Sequence, residues 1–108
     1  MEISKRDWKL FREKIADWQE SYMDRLNKEY IKLLNKEGGN PSDKFWALEK
    51  RIKRDRKRPG VMLEMEKSET IYNIVMLIQD KVISFEDLDE FSDDLKAAVK
   101  MILDRRGG

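Results

Sequence analysis

The chain has 108 residues and a mass of 13.0 kDa, room for one domain over residues 1–108 and one core. Lys and Arg number 23 against 22 Asp and Glu, so an intensely charged chain carries a net charge of only +1, which argues against a uniformly basic nucleic-acid binder. With no Cys and no His, the sequence excludes disulfides, thiolate nucleophiles, Cys/His zinc sites and imidazole acid/base catalysis.

From Ser4 to about Lys36 there is neither Gly nor Pro, and Trp8, Phe11, Ile15, Trp18, Tyr22, Leu26, Tyr30 and Leu33 recur every three or four residues. That is the period of an α-helix. Ser4 with Asp7 reads as a capping box, and Gly38-Gly39-Asn40-Pro41 as the stop and turn, so one long helix is predicted over about 4–36. At 1.5 Å per residue it spans roughly 50 Å, whereas a compact chain of this length has a diameter of about 34 Å. One end must therefore overhang, and its apolar residues continue to Leu34. Either a partner covers them or the helix breaks. Tyr30-Ile31-Lys32-Leu33-Leu34 is apolar on more than one side and calls for two neighbours or a second subunit.

Asn40 or Ser42 is expected to cap a second helix, with Pro41 in its first turn, running through Phe45, Trp46, Leu48 and Ile52 until Pro59-Gly60. Leu48 and Ile52 are expected to face the core. Val61 to Lys67 reads equally as a short extended segment or an early helical turn. A third helix follows Ser68 through Ile71, Ile74, Val75 and Ile78, apolar enough to be the most buried element. Lys81-Val82-Ile83 turns the chain, Ser84 with Asp87 caps a short fourth helix, and Ser92 caps a last one carrying Leu95, Ala98, Val99, Ile102 and Leu103. The expectation is an all-α bundle of about five helices without a strand pair. The amino terminus has no signal-like apolar stretch, and the longest apolar run, Ile74 to Ile78, is five residues against roughly 20 for a membrane helix. A soluble, cytoplasmic protein with no membrane association is expected.

Charge is not evenly spread. Residues 1–39 sum to +1, residues 40–60 to +5 and residues 61–108 to −5. Lys50 to Arg58 holds seven basic residues in nine, and Glu86, Asp87, Asp89, Glu90, Asp93 and Asp94 form an acidic run. A basic helix with Phe45 or Trp46 beside it could grip phosphates and stack on a base, through Lys50, Lys53, Arg54, Lys57 and Arg58. The plainer reading is a helix end whose cations complement the helix dipole, with the acids placed at the starts of the following helices. The two runs could also pair with each other, within one chain or between two.

Motifs with chemistry are scarce. Asp80 to Leu88 resembles the second half of an EF-hand loop, but the first and third ligand positions fall on Met76 and Ile78 and the sixth on Lys81, so no calcium site is expected. Ser4, Ser42, Ser68, Ser84 and Ser92 stand where helices begin, and capping accounts for them. No nucleophile has a base beside it, no Gly-rich phosphate loop is present, and no catalytic residue, metal or cofactor is expected. The terminal Asp104-Arg105-Arg106-Gly107-Gly108 is similar to the tail of ubiquitin-like modifiers, whose β-grasp fold a helical pattern contradicts.

Trp8, Phe11, Trp18, Tyr22, Tyr30 and Leu34 are the candidates for self-association along helix one. Aromatics at helical spacing more often form core, but a small domain has limited core to enclose all of them. Arg6 to Lys14, Asn40 to Glu49 and Arg58-Pro59-Gly60-Val61 resemble segments of short all-α proteins of gut Firmicutes. That resemblance carries no activity and implies a bacterial, stand-alone cytoplasmic protein. The reading is a non-enzymatic interaction or regulatory protein, homodimeric or bound to another protein, with nucleic-acid binding through residues 50–58 as the alternative.

Overall fold

The computed structural model describes residues 2–107, and among them the fold is all-helical. Four α-helices follow in order: α1 (Lys5–Asn35), α2 (Pro41–Asp55), α3 (Thr70–Gln79) and α4 (Asp93–Arg105). The fifth helix expected after Ser84 is only a 3-10 turn over Phe85–Leu88. It keeps the anticipated cap, in which the Ser84 N–H donates to Asp87 Oδ2 at 2.8 Å. Too few residues separate this cap from the next one at Ser92 for an α-helix to propagate. The ambiguous stretch from Val61 is irregular as far as Glu66, and its last residue, Lys67, opens a 3-10 turn over Lys67–Glu69. The irregular part is a strap, held where Asn73 Nδ2 donates to the Glu64 carbonyl at 2.9 Å.

Helix α1 is continuous for 31 residues, so the alternative of a hidden break is removed. Ser4 caps it by accepting from the Asp7 N–H at 3.0 Å. The second half of that capping box is not made, because the Asp7 carboxylate turns to another helix: it accepts from the Ser92 N–H at 3.0 Å and the Ser92 hydroxyl at 2.5 Å. Ser92 Oγ in turn accepts from the Leu95 N–H at 3.2 Å, so the two helix starts are tied through one buried carboxylate. Gly38 and Gly39, with φ of 85° and 74°, make the left-handed turn that reverses the chain into α2. Asn40 caps α2, its N–H donating to Asp43 Oδ2 at 3.3 Å. Ser42 lies inside that helix, and Ser68 lies in a 3-10 turn ahead of α3 and makes no capping bond.

The core sits at one end of the molecule. Phe11, Ile15, Tyr22 and Leu26 of α1 meet Ile74, Val75 and Leu77 of α3, Leu95 and Val99 of α4, and Leu88 and Phe91 between them. Six of the ten residues of α3 are buried, the most of any helix for its length. Trp18 closes the aromatic seam, 6.2 Å from Phe11 and 6.3 Å from Phe91 between ring centroids. Beyond Leu26, no side chain of α1 is buried, and α2 buries none but Asp55. The extents of 53 × 28 × 20 Å and the radius of gyration of 16.8 Å, against about 13 Å for a compact chain of this length, record the overhang. It consists of the second half of α1 with α2 folded back beside it.

Candidate interaction surface

Three groups on the overhang set the position of α2. Tyr30 of α1 donates its hydroxyl to Asp55 Oδ2 at 2.6 Å, Arg51 of α2 reaches Glu29 at 3.0 Å, and Arg58 reaches Asp80 at 2.6 Å. Asp55, 1% exposed, is the hub: Arg54 and Arg58 lie 3.2 and 3.4 Å from its Oδ1. Burial alone would push its carboxyl up, but the Tyr30 hydroxyl and the Arg54 guanidinium hold it below the usual carboxylate range. Burial and then the bond to Asp55 push the Tyr30 phenol up to about 12. Arg51 also lies 5.6 Å over the Tyr30 ring, where its buried Nε has no hydrogen-bond partner among the described residues. At the foot of the hairpin, Gln19 Nε2 donates to the Pro59 carbonyl at 3.1 Å and Gly60 packs flat on Tyr22, where a Cβ would come 2.2 Å from the ring.

With α2 fixed in this way its surface divides into three faces. Leu48, Arg51 and Asp55 turn toward α1, and all three are buried or half-buried. A second face carries Phe45, Glu49, Ile52 and Arg56, which with Leu48 and, at its edge, Lys53 border an open depression of about 540 Å³. Ile52 and Arg56 also border a second depression of about 260 Å³ that runs onto Met23, Leu26, Tyr30 and Val61. The two adjoin at Ile52 and Arg56: the first lies on α2 alone and the second between α1 and α2. The third face points to solvent and holds Trp46, Lys50, Lys53, Arg54 and Lys57, all exposed.

The exposed apolar groups of the overhang stand out against the rest of the chain. Trp46 is 63% exposed, Phe45 61%, Ile31 56%, Ile52 44% and Leu34 43%. Ile52 therefore does not face a core, contrary to the sequence expectation, and Leu48 is only half-buried, because α1 alone is too narrow to cover α2. Among the self-association candidates, Leu34 is open and Tyr30 is half-buried at the groove. Phe11 and Tyr22 are consumed by the chain's own core, and Trp8 and Trp18 pack half-buried against it.

Among the basic candidates, Arg58 and Arg54 are engaged by Asp80 and Asp55, whereas Lys50, Lys53 and Lys57 form no ion pair among the described residues. The acidic run is anchored elsewhere. Lys14 reaches Glu90 at 2.9 Å and Arg6 donates to the Glu90 carbonyl at 3.0 Å, on the first half of α1. From Lys14 to Glu29, the α1 residue that holds Arg51, is about 22 Å along the helix, more than two Debye lengths at physiological salt. The two runs do not pair within one chain.

Sequence reasoning passed over Glu49 and Arg56, which border the same depression as Lys53. Their signal was the spacing of Phe45, Leu48 and Ile52, which places residues 49 and 56 on the flank of the same stripe. No group of three or more acidic side chains among the described residues is arranged to hold a metal ion, and none of their helices is long and apolar enough to cross a membrane. No protein-family profile matches the chain, and no curated protein or solved structure matches it either.

Proposed function

We propose that this chain is a non-enzymatic interaction protein that self-associates through the overhang, burying the exposed apolar face of α2 and the depression that α2 shares with α1. The carrying observation is the concentration of Ile31, Leu34, Phe45, Trp46 and Ile52 at one end of an elongated molecule, each more than two-fifths exposed. With fully exposed aromatic side chains at roughly 150–250 Å², the four other than Trp46, which lies on the solvent face, present on the order of 400 Å², within the range of the largest patch a monomer leaves open. Two copies covering this area would bury on the order of 800 Å², the size of a weak, reversible interface. The perturbed titratable groups, Tyr22, Tyr30, Asp55 and Arg58, are satisfied by one another in a network that positions α2, which favours a structural role over acid/base work.

Sedimentation or light scattering across a concentration series tests the proposal. A mass near twice 13.0 kDa at high micromolar concentration is expected, and Phe45→Asp with Ile52→Asp should return it to the monomer value. A wild-type monomer throughout the series would refute it. Both substitutions sit on exposed positions, so circular dichroism should be unchanged.

One observation favours a second reading. The solvent face of α2 sets Lys50, Lys53 and Lys57, none with an ion-pair partner among the described residues, beside Trp46. That is the composition of a phosphate-binding helix with a stacking side chain. Titration with duplex and single-stranded oligonucleotides at two salt concentrations decides it: binding that weakens steeply with salt supports this reading, and none at low salt removes it.

A further inference from the structure

The groove face of α2 has a symmetry of its own. Glu49 and Arg56 lie seven residues apart, two helical turns or about 10.5 Å, one on each side of Ile52. They carry opposite charges, both are exposed, and neither makes an ion pair with any described residue. Elsewhere on this helix the charged groups nearest α1 are spoken for: Arg51 by Glu29, and Asp55 by Tyr30 and three arginines. An opposite-charge pair straddling an apolar centre is self-complementary under a two-fold rotation, the relation that an isologous dimer requires.

Resting on the self-association reading above, we infer that the second copy docks by laying its α2 antiparallel against α2, with the two-fold axis passing between Ile52 and Lys53. In that register Glu49 of each copy faces Arg56 of the other, so one pair of side chains makes two interchain ion pairs. The Ile52 side chains meet at the centre. Phe45, 61% exposed and seven residues before Ile52, is carried past the far end of the opposing helix, over the depression lined by Met23, Leu26 and Val61. Each copy thus supplies an aromatic knob and receives one. Lys50 and Lys57 point away from the contact, whereas Lys53 borders the depression next to Ile52, so the two Glu49–Arg56 pairs act against the repulsion between the +5 segments that this contact brings together.

Charge swapping tests this arrangement without touching any group that holds the fold. Dissociation constants are measured by sedimentation for the wild type, Glu49→Arg, Arg56→Glu and the double variant carrying both, at low and physiological salt. Each single reversal replaces two attractions by two repulsions and should weaken the dimer about tenfold or more at low salt. The double variant restores both pairs with their signs exchanged and should return to within about threefold of the wild type. Phe45→Ala should weaken the dimer about tenfold irrespective of salt. A dimer that survives both single reversals, or a double variant no better than the singles, overturns this register while self-association stands. A wild-type monomer overturns both.

Discussion

Replacing Asp55 by Ala should detach α2 from its proper position. The carboxylate is 1% exposed and accepts a 2.6 Å bond from Tyr30, with Arg54 and Arg58 within 3.4 Å of Oδ1 and Arg51 at 3.6 Å from Oδ2. A hydrogen bond to a charged group is worth about 1.5–3 kcal/mol. The arginines are 26% to 56% exposed and recover water when the carboxylate is removed, so each adds well under about 1 kcal/mol. The loss should be about 3 kcal/mol, read as a fall in the denaturant midpoint at unchanged slope, or a drop in Tm of roughly 10–20 °C for a domain of this size. Asp55→Asn supplies a second check through pH. Because the folded-state carboxyl is held below its ordinary value, its contribution is present above about pH 4 and is lost as pH falls through the lowered value. The wild type should therefore lose stability in that acid window more steeply than the Asn variant. A loss below about 1 kcal/mol for Asp55→Ala, or identical acid limbs for the two proteins, would refute the hub.

Tyr30→Phe probes the same network from the alkaline side. The phenol is raised from 10.0 to about 12, so the stability it confers is intact below pH 10 and disappears as pH rises toward 12; the Phe variant should lack that alkaline loss in a fluorescence-monitored titration. Gly60→Ala drives a methyl group to 2.2 Å from the Tyr22 ring and should cost about 1–3 kcal/mol in chemical denaturation, relieved in part by Tyr22→Leu. Asp7→Ala strips two hydrogen bonds from the start of α4 and should cost about 3 kcal/mol, with faster amide exchange in the first turn around Leu95.

The long helix was legible because 3.6-residue periodicity without Gly or Pro has only one reading, and simple length arithmetic already required an overhang. What lay beyond reach was which part of α1 would be covered. Phe11 and Tyr22 have the same spacing as Tyr30 and Leu34, but burial is decided by where residues 70–103 dock, and those reach α1 only as far as Leu26. For the same reason Ile52 looked like a core residue: an apolar stripe awaiting a partner has the period of one already packed. Asp7 looked like half of a local capping box, and nothing within four residues announces that its carboxylate serves Ser92, 85 positions away. The short helix expected at residue 84 failed for a different cause. Its cap is real, but a cap starts a helix without lengthening it.

The bond from Asp7 to Ser92 has a consequence for synthesis of the chain. Most of the core that encloses the first half of α1, from Ile71 to Leu103, lies in the last third of the chain, so Phe11 and Trp18 wait for it while the intervening chain is being made. At about 5–20 residues per second the wait is on the order of 4–17 s. Tyr30 and Asp55, 25 positions apart, can meet much sooner. The hairpin that overhangs the finished molecule is therefore the first tertiary structure the ribosome can release, and the globular end closes last, around a helix whose other half is already engaged.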